Sequence, residues 1–189
     1  MAGASFLARR PGNPVILTAA ANVVFDPETG ERRTKQEIAD LIDQVRFVPF
    51  ISNSRSAPPD QTGQSASLRG DLLEVNLPTA PDVEPLKIRL MDVGEGEELR
   101  LLAPPAASGS PQRILTGRVQ QAGSLKEPGY IDMDASVAVG WFLGAPFLDD
   151  QCQVAGILIG EKPVDLSKAG ARSVLIYLPV SQVRDLVSL

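Results

Sequence analysis

The sequence predicts an all-β protein carrying one inserted helix and a short closing helix. Three features lead there. Apolar runs are short and are broken by Gly, Pro, Asn, Asp and Ser, the punctuation of strands and turns. The stretch Gly140 to Gly160 reads as a tight Gly/Pro loop, a short apolar strand, the polar turn Asp149-Asp150-Gln151 and a second apolar strand, which together signal a hairpin. Helical spacing of apolar residues occurs at Thr34 to Val45 and again after Ser181. With 189 residues, the chain can bury a core as one domain or as two small barrels sharing an interface.

Composition narrows the function classes. A hydrophobic content of 43% describes a folded chain rather than a disordered one. A net charge of −5 argues against nucleic-acid binding through a basic surface. No run approaches the roughly 18 apolar residues of a membrane span. Met1 to Arg10 places its charges after a short apolar patch, the wrong order for a signal peptide. The one cysteine, Cys152, excludes internal disulfides and fits a reducing compartment, so a cytoplasmic location is expected. Cys152 itself reads as an incidental thiol. There is no histidine. That removes the usual imidazole proton shuttle of nucleophilic catalysis and every histidine-bearing metal site, and one cysteine cannot build a thiolate cage. No metal or cofactor is expected.

Taken in order, residues 3–8 and 14–20 read as two strands joined by the turn Arg10-Pro11-Gly12-Asn13. Asp26 to Glu31 is a turn. Thr34 to Val45 carries Ile38, Leu41, Ile42 and Val45 at i, i+3, i+4, i+7 spacing, with Thr34 and Glu37 as a capping box, so a helix is expected there. Val45 to Ile51 reads as a return to strand, and 52–70, rich in Ser, Pro, Gly and Gln, as a loop. Asp71 opens a strand running to Leu77, and Pro78 to Pro85 is a Pro-rich connection. Further strands are expected at Leu86–Leu90, in the run 93–102 after its Gly94-x-Gly96 turn, and at Ile114–Gln121. Tyr130-Ile131-Asp132-Met133 leads into the Gly-rich loop. Ser173 to Val180 forms the last strand, and Ser181 caps a helix with Val183, Leu186 and Val187 on one side.

Two of these stretches resemble the catalytic loops of trypsin/chymotrypsin-like, and in particular HtrA-like, serine proteases. Gly144-Ala145-Pro146 is similar to the tail of the family's Gly-x-Ser-Gly-Gly-Pro loop, which places Leu143 at the serine position. Leu17-Thr18-Ala19-Ala20-Ala21 is similar to Leu-Thr-Ala-Ala-His, which places Ala21 at the histidine position; on its own the segment reads first as a buried strand end filled with small residues, and it is the pairing with the Gly144 motif in the right order that favours the resemblance. Asp71 matches the family's aspartate position, with a surface aspartate at a strand start as the alternative. The resemblance covers Gly3 to Leu189 and rests on the order and spacing of short motifs. It implies two six-stranded antiparallel β-barrels of the trypsin-like fold, residues 1–85 with the helix near 34–45 inserted and residues 86–189 with the closing helix.

The family's chemistry needs a base to take the serine proton and backbone N–H groups to hold the oxyanion. Here the matched positions hold Ala21, Asp71 and Leu143, none of which can serve as written. Losing base and nucleophile leaves at most about 10³–10⁴-fold over water, from an intact oxyanion hole alone. One residue is added between Asp134 and Pro146 relative to the HtrA-like pattern, which bears on that hole. Leu175 falls where relatives often carry glycine, so it is expected to fill the primary pocket. Trp141 and Phe142 either plug the former cleft or protrude as an anchor for a partner. The reading is a catalytically inactive homologue that binds a protein or peptide, or serves within a larger complex. Trp141, Phe142, Gly144, Leu175 and Tyr177 are the candidate contacts, and the peptide would add as a strand beside residues 173–179. The alternative is an endopeptidase whose catalytic histidine has been replaced by Ala21. A purely structural module is a third reading.

Overall fold

The computed structural model describes residues 4–10, 13–26, 28–44, 64–79, 83–103, 113–134, 139–162 and 173–187. The amino-terminal part contributes strands β1 (Ser5–Ala8), β2 (Val15–Ala19), β3 (Ser65–Arg69) and β4 (Leu72–Asn76). They form one antiparallel sheet in the order β1-β2-β4-β3. All five residues of β2 are buried, because both faces of the sheet are covered. Ile16, Leu73 and Val75 face helix α1 (Ala21–Val24) and helix α2 (Lys35–Gln44), which supply Val23, Val24 and Ile38. Val15, Leu17 and Leu72 face the other way, toward the carboxy-terminal part.

Helix α2 begins as its capping box dictates. The Glu37 carboxylate accepts from the Thr34 N–H and hydroxyl, both at 2.7 Å, and the Glu37 N–H returns a bond to the Thr34 hydroxyl at 3.3 Å. Those bonds hold the Glu37 carboxyl below its ordinary range. The stretch expected to return to strand at Val45–Ile51 lies outside the described residues. The expected loop over 52–70 needs correction at its end. Ser65–Arg69 is a strand, paired residue for residue with β4 through a hairpin turn at Gly70-Asp71. Its side chains are mostly exposed, so no apolar alternation announces it. Asp71 accordingly lies in the turn rather than opening a strand.

The carboxy-terminal part is a closed barrel of β5 (Glu98–Ala103), β6 (Arg113–Gln121), β7 (Gly129–Met133), β8 (Pro146–Leu148), β9 (Val154–Glu161) and β10 (Val174–Pro179). They close in the order β10-β7-β6-β5-β8-β9. Leu99, Leu101, Val119, Ile131, Met133, Phe147, Leu158, Leu175 and Tyr177 fill the interior. Register shifts at Val119/Gln121, Phe147/Leu148 and Ile176/Tyr177 supply the local bends that closure needs. The sequence reading of two six-stranded barrels therefore holds for one of them. Among the described residues the amino-terminal sheet has four strands and stays open, and α1 and α2 pack on one of its faces.

Two other elements differ from expectation. Leu86–Leu90 is not a strand but makes two isolated parallel bridges, Ala8 to Leu86 and Ile88 to Val154, lying between sheet and barrel. Helix α3 (Val180–Val187) follows β10 without a break, so Ser181 sits inside it rather than capping it. The Ser181 N–H donates instead to Asp92 Oδ1 at 2.9 Å, while its own hydroxyl has no partner among the described residues. Sheet and barrel then share a core: Phe6, Ala8, Val15, Leu17 and Leu72 pack on Leu148, Val154, Ile157, Leu178 and Val183. Each of these side chains larger than Ala8 stabilises by about 1.5–3 kcal/mol when fully buried. Among the described residues no helix is long and apolar enough to cross a membrane.

The segment after Leu86 is pinned by Arg89, which donates to Glu97 at 2.8 Å, while Glu97 also accepts the Gly94 N–H at 2.7 Å. The Arg89 guanidinium, joined by that N–H, holds the Glu97 carboxyl below its ordinary value of 4.5. A depressed folded-state value means the stabilisation is present above the ordinary carboxylate range and is lost as pH falls through the lower folded value. Glu97→Gln is therefore expected to unfold with a flatter acid dependence than the parent in urea titrations between neutral pH and about pH 3. A parallel decline in both proteins would refute the assignment.

Candidate functional site

Of the residues matched to the proteolytic triad, Leu143 lies on the seam between sheet and barrel, where its carbonyl accepts from Ala4 and Asn22. Strand β2 ends where the Ala20 N–H bonds to the Asp71 carbonyl at 2.8 Å, and α1 starts at once with Ala21, which is half-buried. Asn22 comes next. Both hydrogens of its amide nitrogen are used, one on the Leu143 carbonyl across the seam and one on Thr18 Oγ1, each at 2.9 Å. The Thr18 hydroxyl donates to the Ala4 carbonyl at 2.5 Å, and the Ala4 N–H donates to the Leu143 carbonyl at 3.0 Å. Four residues thus close a ring of hydrogen bonds that joins the two parts of the molecule.

On the barrel side the ring meets a tight loop. A 3-10 turn over Val139–Trp141 brings the N–H groups of Phe142 and Leu143 back to the Val139 carbonyl, at 2.8 and 3.2 Å. An oxyanion hole needs such donors aimed at the reacting oxygen; the Leu143 donor is aimed at its own loop. Gly144 follows with φ +92° and donates to the Leu158 carbonyl at 2.8 Å. A side chain there would stand 2.2 Å from the Ala4 carbonyl oxygen and 2.3 Å from Thr18 Oγ1. Only glycine lets the loop and the sheet approach this closely.

The remaining candidates are placed as follows. Asp71 is exposed, and its main chain is what reaches the Ala20–Ala21 corner. Phe142 and Leu143 are half-buried and pack against the barrel core. The side chain of Trp141 lies outside the described residues. Leu175 and Tyr177 are fully buried inside the barrel. Tyr177 accepts the Gly123 N–H at 3.0 Å, and burial pushes its phenol above the ordinary value of 10.0. Neither residue presents a side chain to a partner. Strand addition beside residues 173–179 also needs correction: β10 pairs with β7 along one edge and β9 along the other, so its main-chain groups are spent inside the barrel.

The ring ties main-chain carbonyls of both parts together. No ring member titrates, and the Thr18 hydroxyl is committed to a carbonyl. At the hairpin ahead of β9, the buried Asp149 accepts the N–H groups of Gln151 and Gln153, at 3.0 and 2.8 Å, which is a turn-forming use of the carboxylate. Among the described residues no three His, Cys, Asp or Glu side chains gather as metal ligands. Sequence reasoning passed over Thr18 and Asn22. The available signal was their spacing, two small polar residues four apart in a run otherwise made of Leu, Ala and Val.

No protein-family model matches the chain, and no curated protein matches it. Solved structures do. The Rv3671c protease of M. tuberculosis, in its inactive form, is similar at 14% identity with a TM-score of 0.53, over 98% of this chain and 82% of that one. Its active form gives 0.51 at 14% identity, over 97% and 77%. The MamO protease domain from Magnetospirillum magneticum gives 0.50 at 13% identity, over 93% and 87%. Taken with the closed barrel and its companion sheet, these likenesses show a trypsin-like protease fold in which one of the two barrels is closed among the described residues.

Proposed function

We propose that this chain is a protease-fold protein without proteolytic activity, working as a protein- or peptide-binding, regulatory or scaffold module. One observation carries the reading. At the positions that the resemblance matches to a base and a nucleophile stand Ala21 and Leu143, and the Leu143 carbonyl is tied down by Asn22, the residue after Ala21. A chain with no histidine has no imidazole to bring to that point. With the edges of β10 occupied, a partner engages exposed surface rather than a strand slot in the barrel. The lone exposed Cys152 favours a reducing, cytoplasmic setting.

Incubation of the intact chain with a fluorophosphonate probe and with labelled casein is expected to give neither covalent labelling nor hydrolysis above buffer. Labelling of any serine would overturn the inactive reading. Installing Ala21→His together with Leu143→Ser is expected to leave the protein unlabelled as well, because the Leu143 N–H stays turned into its loop; casein cleavage by that variant would favour a protease stripped of its histidine. The binding half of the reading predicts that a random peptide library panned on the immobilised chain enriches a consensus. Equal recovery of all sequences would count against it.

A further inference from the structure

We propose that Asn22 is a latch: its amide fastens the loop carrying Leu143 to the sheet and fixes the register at which sheet and barrel meet. The shared core of Phe6, Val15, Leu17, Val154, Ile157 and Leu178 brings the two parts together, but apolar burial is non-directional and tolerates sliding. The ring through Ala4, Thr18, Asn22 and Leu143 supplies the missing direction. Its one acceptor on the barrel side, the Leu143 carbonyl, is shared by the main-chain N–H of Ala4, just ahead of β1, and the side-chain amide of Asn22 in α1. Any slide at the seam breaks both bonds at once.

Two details make this a latch rather than one more buried contact. First, Gly144 leaves no slack: the Ala4 carbonyl and Thr18 hydroxyl occupy the space a side chain would fill, so the ring closes at a single separation. Second, Asn22 is only half-buried, so water can replace its bonds without unfolding either part. The loop has its own hold on the barrel through the Gly144 N–H on the Leu158 carbonyl and the Leu158 N–H on the Ala145 carbonyl. Opening at Asn22 therefore separates loop from sheet and leaves the barrel intact. This inference does not depend on the absence of proteolysis, since it concerns how the seam is held and not what the seam does.

Segment-resolved hydrogen exchange on the intact chain tests it. Asn22→Leu keeps the size of the side chain and removes both donors. Exchange at the Ala4 amide, whose acceptor is the Leu143 carbonyl, is expected to rise by roughly tenfold or more, with β6 and β7 unchanged. Asn22→Asp sets a carboxylate against two acceptor oxygens and is expected to raise exchange at the same amide further. Thr18→Val removes the hydroxyl link and is expected to give the same local pattern. Combined with Asn22→Leu it should add less than the sum of the two, because both act on one ring. If one variant fails to fold, the other two give the readout. Unchanged exchange at the Ala4 amide, or an equal rise through sheet and barrel alike, overturns the proposal.

Discussion

Gly144→Ala is expected to be among the most destabilising single substitutions in the chain, at about 2–6 kcal/mol. Two costs add. Holding an L side chain at a positive φ costs about 1–3 kcal/mol, and φ at Gly144 is +92°. Forcing a methyl group into filled space costs about 1–3 kcal/mol more. The atoms it meets are the Ala4 carbonyl oxygen at 2.2 Å, Thr18 Oγ1 at 2.3 Å and the Ala19 nitrogen at 2.8 Å. Two of them are main chain and cannot rotate away. Gly140, in the same loop, is exposed, and a methyl group added there would meet nothing within 4 Å. Gly140→Ala is therefore expected to stay within about 0.5 kcal/mol of the parent. Denaturant midpoints for the pair decide the matter: equal, small losses would mean that sheet and loop are not in this contact.

Tyr177→Ala is expected to cost about 3–5 kcal/mol, the range for removing a large ring from a packed interior. Against a total stability of about 5–15 kcal/mol this threatens folding outright. The ring is fully buried and meets Phe147 edge-on at 6.2 Å between centroids. The barrel has made room for it. A side chain at Gly129 would stand 2.2 Å from the ring, and one at Gly156 would stand 2.6 Å from it. Tyr177→Phe keeps the ring but strands the Gly123 N–H that the hydroxyl accepts. About 1–3 kcal/mol is expected there. A loss below about 1 kcal/mol for Tyr177→Ala, read from denaturant midpoints, would show that the ring is not a core element. The same measurement separates a core role from a contact role, since a residue placed to touch a partner could be truncated with little loss of stability.

Much of the molecule was legible from local pattern. The stripe of Ile38, Leu41 and Ile42 behind Thr34 and Glu37 reads as helix because every contact that starts it lies within one turn. The hairpin of β8 and β9 reads from two apolar runs and an aspartate that caps its own turn. Strand β3 did not read, because a strand whose side chains are mostly exposed carries no alternation. Leu86 and Ile88 misled for the converse reason. Their apolar spacing is that of a strand, yet each bridges a different neighbour.

What the amino-acid order determined alone is the mostly β character, most of the elements of the barrel and the absence of any histidine for proton transfer. Only the tertiary structure decided that Asn22, the residue after Ala21, meets the Leu143 carbonyl, that Thr18 shares in holding that seam, and that Leu175 and Tyr177 are interior rather than displayed. The physical reason is separation along the chain. Asn22 and the carbonyl it grips are 121 residues apart, and periodicity reports only on neighbours within a turn or a pleat. Polar groups meeting across such a distance leave no trace in local spacing; the closing of the barrel against the sheet is what brings them within reach.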